Sequence, residues 1–166
     1  MPDSAPAEIL LVEDDPGDAL MVEIVLADQG VPARLRVVTD GVSALAYLRG
    51  AVSAAPTSRP SLILLDLHLP RQDGRALLAE LKADAKLRSI PVVVLTGSAS
   101  SADITACYDL QASAFVTKPT DLHQFAHVIR RIERFFLTEV RLPIQGSSEQ
   151  SSTVGRTTAP FDRHAR

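Results

Sequence analysis

A chain of 166 residues fits one domain, for which roughly 100–200 residues are usual. Its 46% hydrophobic and 22% charged content is ordinary for a soluble globular protein. A net charge of −3 gives no electrostatic case for binding nucleic acid, and no apolar run approaches the roughly 18–20 residues that cross a bilayer. The one cysteine, Cys107, excludes an internal disulfide and suits a reducing compartment. The start, Met1-Pro2-Asp3-Ser4-Ala5-Pro6, lacks the basic-then-apolar layout of a signal peptide. The expectation is a cytoplasmic domain that enters neither membrane nor nucleic acid.

Short apolar runs alternate with helical patterns along the chain. Ile9-Leu10-Leu11-Val12 is too short for a helix and apolar on both faces, as a buried parallel strand is. Asp15-Pro16-Gly17-Asp18 then opens a helix, with an acidic cap, Pro at the first helical position and Asp in the first turn. It runs to about Gln29 and is closed by Gly30 and Pro32. Leu35 to Val38 reads as a second strand, Ser43 to Arg49 as a short helix, and Gly50 to Pro60 as an exposed Ala/Ser/Pro loop. Leu62-Ile63-Leu64-Leu65 is the most apolar run and reads as a central strand.

Gly74 to about Lys86 is helical by the spacing of Ala76, Leu77, Leu78 and Leu81. The β-branched run from Pro91 to Leu95 gives a fourth strand. Ser100, with Asp103 three residues on, opens a helix to about Leu110 in the manner of a capping box. Ala114-Phe115-Val116 gives a fifth strand. A long last helix follows from about Asp121 to Arg141, its buried face marked by Leu122, Phe125, Ile129, Ile132 and Phe136. Strand–helix alternation repeated about five times argues for an α/β domain with a parallel sheet and helices on both faces. The domain is expected over 8–142, with a disordered start over 1–7 and a disordered Ser/Thr/Gln/Gly tail over 143–166. That tail is too short for a separate output domain.

In open parallel sheets the site lies beyond the carboxyl ends of the strands. Here those ends carry Glu13-Asp14-Asp15, Asp66, Thr96-Gly97 and Lys118-Pro119. Singly, each has a bland reading as a solvated charge, a helix cap or a turn. Together they make a cluster of carboxylates that repel one another unless a cation intervenes. Mg²⁺, which takes oxygen ligands and keeps places for water or phosphate oxygens, resolves that conflict.

The motifs Val12-Glu13-Asp14-Asp15, Leu65-Asp66-Leu67-His68-Leu69-Pro70-Arg71-Gln72-Asp73-Gly74, Leu95-Thr96-Gly97 and Phe115-Val116-Thr117-Lys118-Pro119 resemble the receiver domains of two-component response regulators, over about Glu8 to Arg141. The resemblance implies a flavodoxin-like doubly wound sheet of five parallel strands in the order 2-1-3-4-5. It implies a phosphoacceptor at Asp66, fed by a histidine kinase. Mg²⁺, with Mn²⁺ as a stand-in, is then held by Glu13, Asp14, Asp66 and the backbone carbonyl of His68. Thr96 and Lys118 bind the phosphoryl group, Phe115 is the switch aromatic, and the bond before Pro119 is cis. His68 and Ser98 flank the path of hydrolytic water and are candidates to tune the lifetime of the phosphorylated state. The bland reading of His68 is a solvent-facing ring with no chemistry; the sharper one is that its bulk slows water entry.

The opening motif, the Gly50–Pro60 loop, the Leu-Asp-Leu-His-Leu-Pro run and the long last helix resemble the stand-alone regulators of phytochrome-type kinases. A second apolar set on that helix, Val128, Phe135, Leu137 and Val140, either folds under the tail or makes a homodimer through the helix, and the dimer is the preferred reading. Two other readings stand beside this one. A pseudo-receiver acting only as an interaction module usually lacks one of the acids or the lysine. A haloacid-dehalogenase-type phosphatase wants a second Asp where His68 stands.

Overall fold

The computed structural model describes residues 6–28, 32–54, 59–98 and 100–140. Five parallel strands, β1 (Ala7–Val12), β2 (Ala33–Val38), β3 (Leu62–Leu65), β4 (Val92–Thr96) and β5 (Ala114–Thr117), form one sheet in the order β2-β1-β3-β4-β5. The order is the one expected, and the side on which successive strands are added reverses between β1 and β3. Register pairs Val12 with Leu65 and Thr96 with Thr117, so the carboxyl ends of β1, β3, β4 and β5 share one edge.

The connecting helices are α1 (Pro16–Asp28), α2 (Gly41–Ala54), α3 (Gly74–Ala83), α4 (Ser101–Asp109) and α5 (Leu122–Arg134). They cover both faces of the sheet and split the interior in two. Side chains alternate along a strand, so Leu10, Val12, Ile63, Leu65, Val92 and Val94 meet α2, α3 and α4. Ile9, Leu11, Leu62, Leu64, Val93 and Leu95 meet α1 and α5 instead. Residues 9–12 of β1, all of β3 and residues 92–95 of β4 are therefore apolar on both faces, which is why they read as unbroken hydrophobic runs.

Several boundaries differ from those expected. Strand β1 takes in Ala7, one residue inside the start expected to be disordered. Helix α2 runs to Ala54, well into the segment expected to be a loop. Its first turn is fixed by Asp40, whose Oδ1 accepts the Ser43 N–H at 2.8 Å, and Ala44, Leu45 and Leu48 anchor it in the core. Good helix formers such as Ala51 and Ala54 then carry it further. Helix α3 stops at Ala83 rather than Lys86, because Lys82 Nζ donates to the carbonyls of Arg88 and Ile90 and holds a turn there.

The last helix ends its α geometry at Arg134 and passes into a π-helical turn over Phe135–Glu139, closed by Val140 N–H to the Phe135 carbonyl at 3.0 Å. On α5, Phe125, Ile129 and Ile132 are buried as expected, as is Phe136 in the π turn. Leu122 is not: at the first helical position it projects beyond the core and is 65% exposed. The helix ends expected at Gln29 and Arg141, and the tail over 143–166, lie outside the described residues.

Candidate functional site

Four strand ends and the start of α1 build the site. Glu13 follows β1 and is buried, while Asp14 beside it is exposed. The Asp66 N–H donates to the Val12 carbonyl at 3.0 Å, which fixes Asp66 directly beside β1. The carboxylates of Glu13, Asp14 and Asp66 can each present an oxygen within 4.8 Å of the others. Three acids so close fit a hard divalent cation in number and kind. The His68 backbone N–H donates to Asp66 Oδ1 at 3.1 Å, and its side chain is exposed.

Lys118 enters from the end of β5, held there by its N–H bond to the Thr96 carbonyl at 2.8 Å. Its Nζ meets Glu13 Oε2 at 2.5 Å, Asp18 Oδ2 at 2.8 Å and Asp66 Oδ2 at 3.0 Å. Burial works against the ammonium, yet Asp18, Glu13 and Asp66 together hold its pKa above the ordinary lysine value. Burial also pushes the Glu13 carboxyl up to about 7, against the opposing pull of Lys118 and of the Asp15 N–H.

Thr96 ends β4 with no exposed surface at all, and its hydroxyl has no hydrogen-bond partner. A buried hydroxyl left unpaired is costly and calls for an explanation. Alternation along β4 puts Thr96 on the side of Val92 and Val94, the layer against which Phe115 also packs. Ser98 is half-buried two residues on.

One expected feature is corrected. The described residues contain no cis peptide bond, so the Lys118–Pro119 bond is trans. Trans is the intrinsically favoured isomer by about 0.5–1 kcal/mol even before proline, and this backbone already delivers Lys118 to its three carboxylates.

The second apolar set is less open than expected. Val128, Leu137 and Val140 pack partly onto the α1–α5 interior, and only Phe135 stands out, 50% exposed and edge-on to Phe136 at 5.2 Å.

Three features went unread in the sequence. Asp18 is a lysine partner, although a first-turn acid is ordinarily explained by the helix dipole alone. Buried Asp40 caps α2 and pairs with Arg71 at 2.9 Å, tying the loop after Asp66 to α2. Arg75 bridges Asp73, the cap of α3, to Asp103 in the first turn of α4 at 3.2 and 2.9 Å. An acid one turn into the helix that follows Glu13-Asp14 was the available sign for Asp18; the other two pairs join distant segments and leave no local sign.

The model of the response regulator receiver domain matches residues 9–130. The chain belongs to the response regulator receiver family. It is 41% identical over 138 residues to the response regulator Rcp1 of Synechocystis, covering 83% of this chain and 94% of that one. Among solved structures, it resembles the phosphorylated cyanobacterial phytochrome response regulator RcpA with a TM-score of 0.78 and 43% identity, covering 84% of this chain and 99% of that one. The Mn²⁺-bound form of Rcp1 gives a TM-score of 0.77 and 41% identity, covering 83% of this chain and 99% of that one. The receiver chain is thus a two-component signalling protein rather than a conventional enzyme, and its acidic trio fits a divalent cation. No helix among the described residues is long and apolar enough to cross a membrane.

Proposed function

We propose that Asp66 accepts a phosphoryl group from a histidine kinase, and that the protein signals through the surface this modification changes. The observation that carries the reading is the buried, unpartnered hydroxyl of Thr96 on the sheet edge that holds the acidic trio. It is a donor waiting for an acceptor that the unmodified chain does not supply.

The chemistry follows from charge and position. An Asp66 carboxylate oxygen attacks phosphorus in line; the new P–O bond forms as the P–N bond to the kinase histidine breaks, and the imidazole keeps the electron pair. Glu13, Asp14, Asp66 and the His68 carbonyl would hold a divalent cation, which when bound neutralises charge on the phosphoryl oxygens. Lys118 exchanges its Asp66 contact for a phosphoryl oxygen, and the Thr96 hydroxyl turns to another. Movement of Thr96 frees space on the layer where Phe115 packs, so the new charge biases a two-state element. His68 and Ser98 limit the approach of water and set the slow loss of phosphate.

The likeness to RcpA, described as a phytochrome response regulator, and to the bacteriophytochrome response regulator AtBRR at 38% identity supports a phytochrome-type kinase as donor. The domain begins with β1, which takes in Ala7, and extends to 142, and a homodimer forms through the last helix, with exposed Phe135 at its centre and Val128, Leu137 and Val140 around it.

Treatment with acetyl phosphate and Mg²⁺, followed by a phosphate-affinity gel, tests the reading. Wild type shifts and Asp66→Asn does not. A wild type that never shifts would return the chain to the pseudo-receiver class.

A further inference from the structure

The Lys118 ammonium has three protons to donate, and each meets a different carboxylate. Two of these, Glu13 and Asp66, belong to the acidic trio that suits a cation. The third, Asp18 at 2.8 Å, does not. Asp18 stands in the first turn of α1, where its N–H donates to Asp15 Oδ1 at 2.9 Å. The helix start therefore fixes the backbone of Asp18 independently of the trio, and its carboxylate reaches Lys118 from there.

We propose that Asp18 is a positioning residue for phosphoryl transfer, keeping the Lys118 ammonium seated beside Asp66 when Glu13 and Asp66 turn to other partners. The proposal rests on the reading of Asp66 as phosphoacceptor. With a cation and a phosphoryl group at the site, the oxygens of Glu13 and Asp66 are drawn away from the lysine, and Asp18 is the acceptor that remains. Without Asp18 the ammonium leans wholly on the two carboxylates the cation also uses. Lysine and cation then compete, and transfer slows.

The alternative is that Asp18 only favours the positive end of α1, a general effect that does not pass through Lys118. A double-mutant cycle separates the two. Wild type, Asp18→Asn, Lys118→Met and the double variant are compared for the rate of labelling by acetyl phosphate with Mg²⁺. Mn²⁺ affinity is measured on the same proteins, unphosphorylated, by electron paramagnetic resonance.

Asp18→Asn is expected to slow labelling about tenfold, the worth of one charge-assisted hydrogen bond, and to weaken Mn²⁺ binding. In the Lys118→Met background the same change should alter neither by more than about twofold. Asp18→Glu should recover part of the loss, and Asp18→Ser, at home in a first helical turn, should reproduce the Asn result.

Labelling and Mn²⁺ affinity equal to wild type in Asp18→Asn would overturn the proposal. So would an equal fold-loss in both backgrounds, while Asp66 labelling itself stood. A wild type that takes no label, or an Asp66→Asn variant that still does, overturns the phosphoacceptor reading and this proposal with it.

Discussion

Glu133 is buried on α5 with 2% of its surface exposed, and its Oε1 has no hydrogen-bond partner. Its basic neighbours are engaged elsewhere, Arg130 with Asp28 at 3.8 Å and Arg134 with Glu139 at 3.4 Å. Burial raises its pKa. The folded state therefore holds this proton more tightly than the unfolded chain does. The contribution to stability is fully present below the ordinary glutamate range and is lost as pH rises through the raised value. Replacement by an apolar residue of similar size should be stabilising by about 1–3 kcal/mol at neutral pH. Urea denaturation of Glu133→Leu should show a larger gain at pH 8 than at pH 5.

Thr96 presents the opposite case: its unpaired group sits where the proposed phosphoryl transfer would bring an acceptor. Asp66, Glu13, Asp14 and Lys118 could be read from the sequence because each ends or follows an apolar run, and strand ends gather at one edge of a parallel sheet. Asp18 and Glu133 could not. A first-turn acid and a charged residue in a basic helix both have ordinary explanations, and only the contact of Asp18 with Lys118 and the burial of Glu133 show otherwise.

Helix α4 ends on a Schellman motif. The Ala112 N–H reaches the Cys107 carbonyl at 2.9 Å and the Gln111 N–H reaches that of Tyr108 at 2.9 Å, with Gln111 at φ 67°. Glycine is the residue suited to that left-handed position. Gln111→Gly should therefore raise stability by roughly 0.5–1 kcal/mol, measured as a higher melting temperature with α4 unchanged.

Gly74 is constrained differently. A Cβ there would lie 2.5 Å from the Asp66 carbonyl oxygen and 2.6 Å from Leu67 Cα, so α3 begins pressed against the backbone of Asp66 and Leu67. The Asp-Gly pair in the motif thus has a local cause: Asp73 caps the helix, its carboxylate accepting the Arg75 N–H at 2.7 Å, and glycine permits the contact. Strands β3 and β4 were readable because their apolar runs are too short for a helix and rich in branched residues, as buried strands are. The end of α5 was not, since apolar spacing over Phe135–Glu139 does not distinguish an α-helix from the π-helical turn found there.

The sheet divides the interior into two layers that do not mix, one with α2, α3 and α4 and one with α1 and α5. Phe135 is the large apolar side chain left outside the second layer at the end of α5. If it centres the dimer, Phe135→Glu should weaken association by at least about 30-fold, as the loss of a central aromatic contact of 2 kcal/mol or more does. Sedimentation equilibrium with and without phosphorylation measures this.

The site occupies the edge of the sheet that borders both layers. Lys118 answers on the side of α1, through Asp18, and Thr96 on the side of α4, beside the layer that holds Phe115. On the proposed reading, a phosphate on Asp66 would issue two messages, back to back. A partner gripping the α1 side and another gripping the α4 side would then be informed independently, and a mutation that silences one face need not deafen the other.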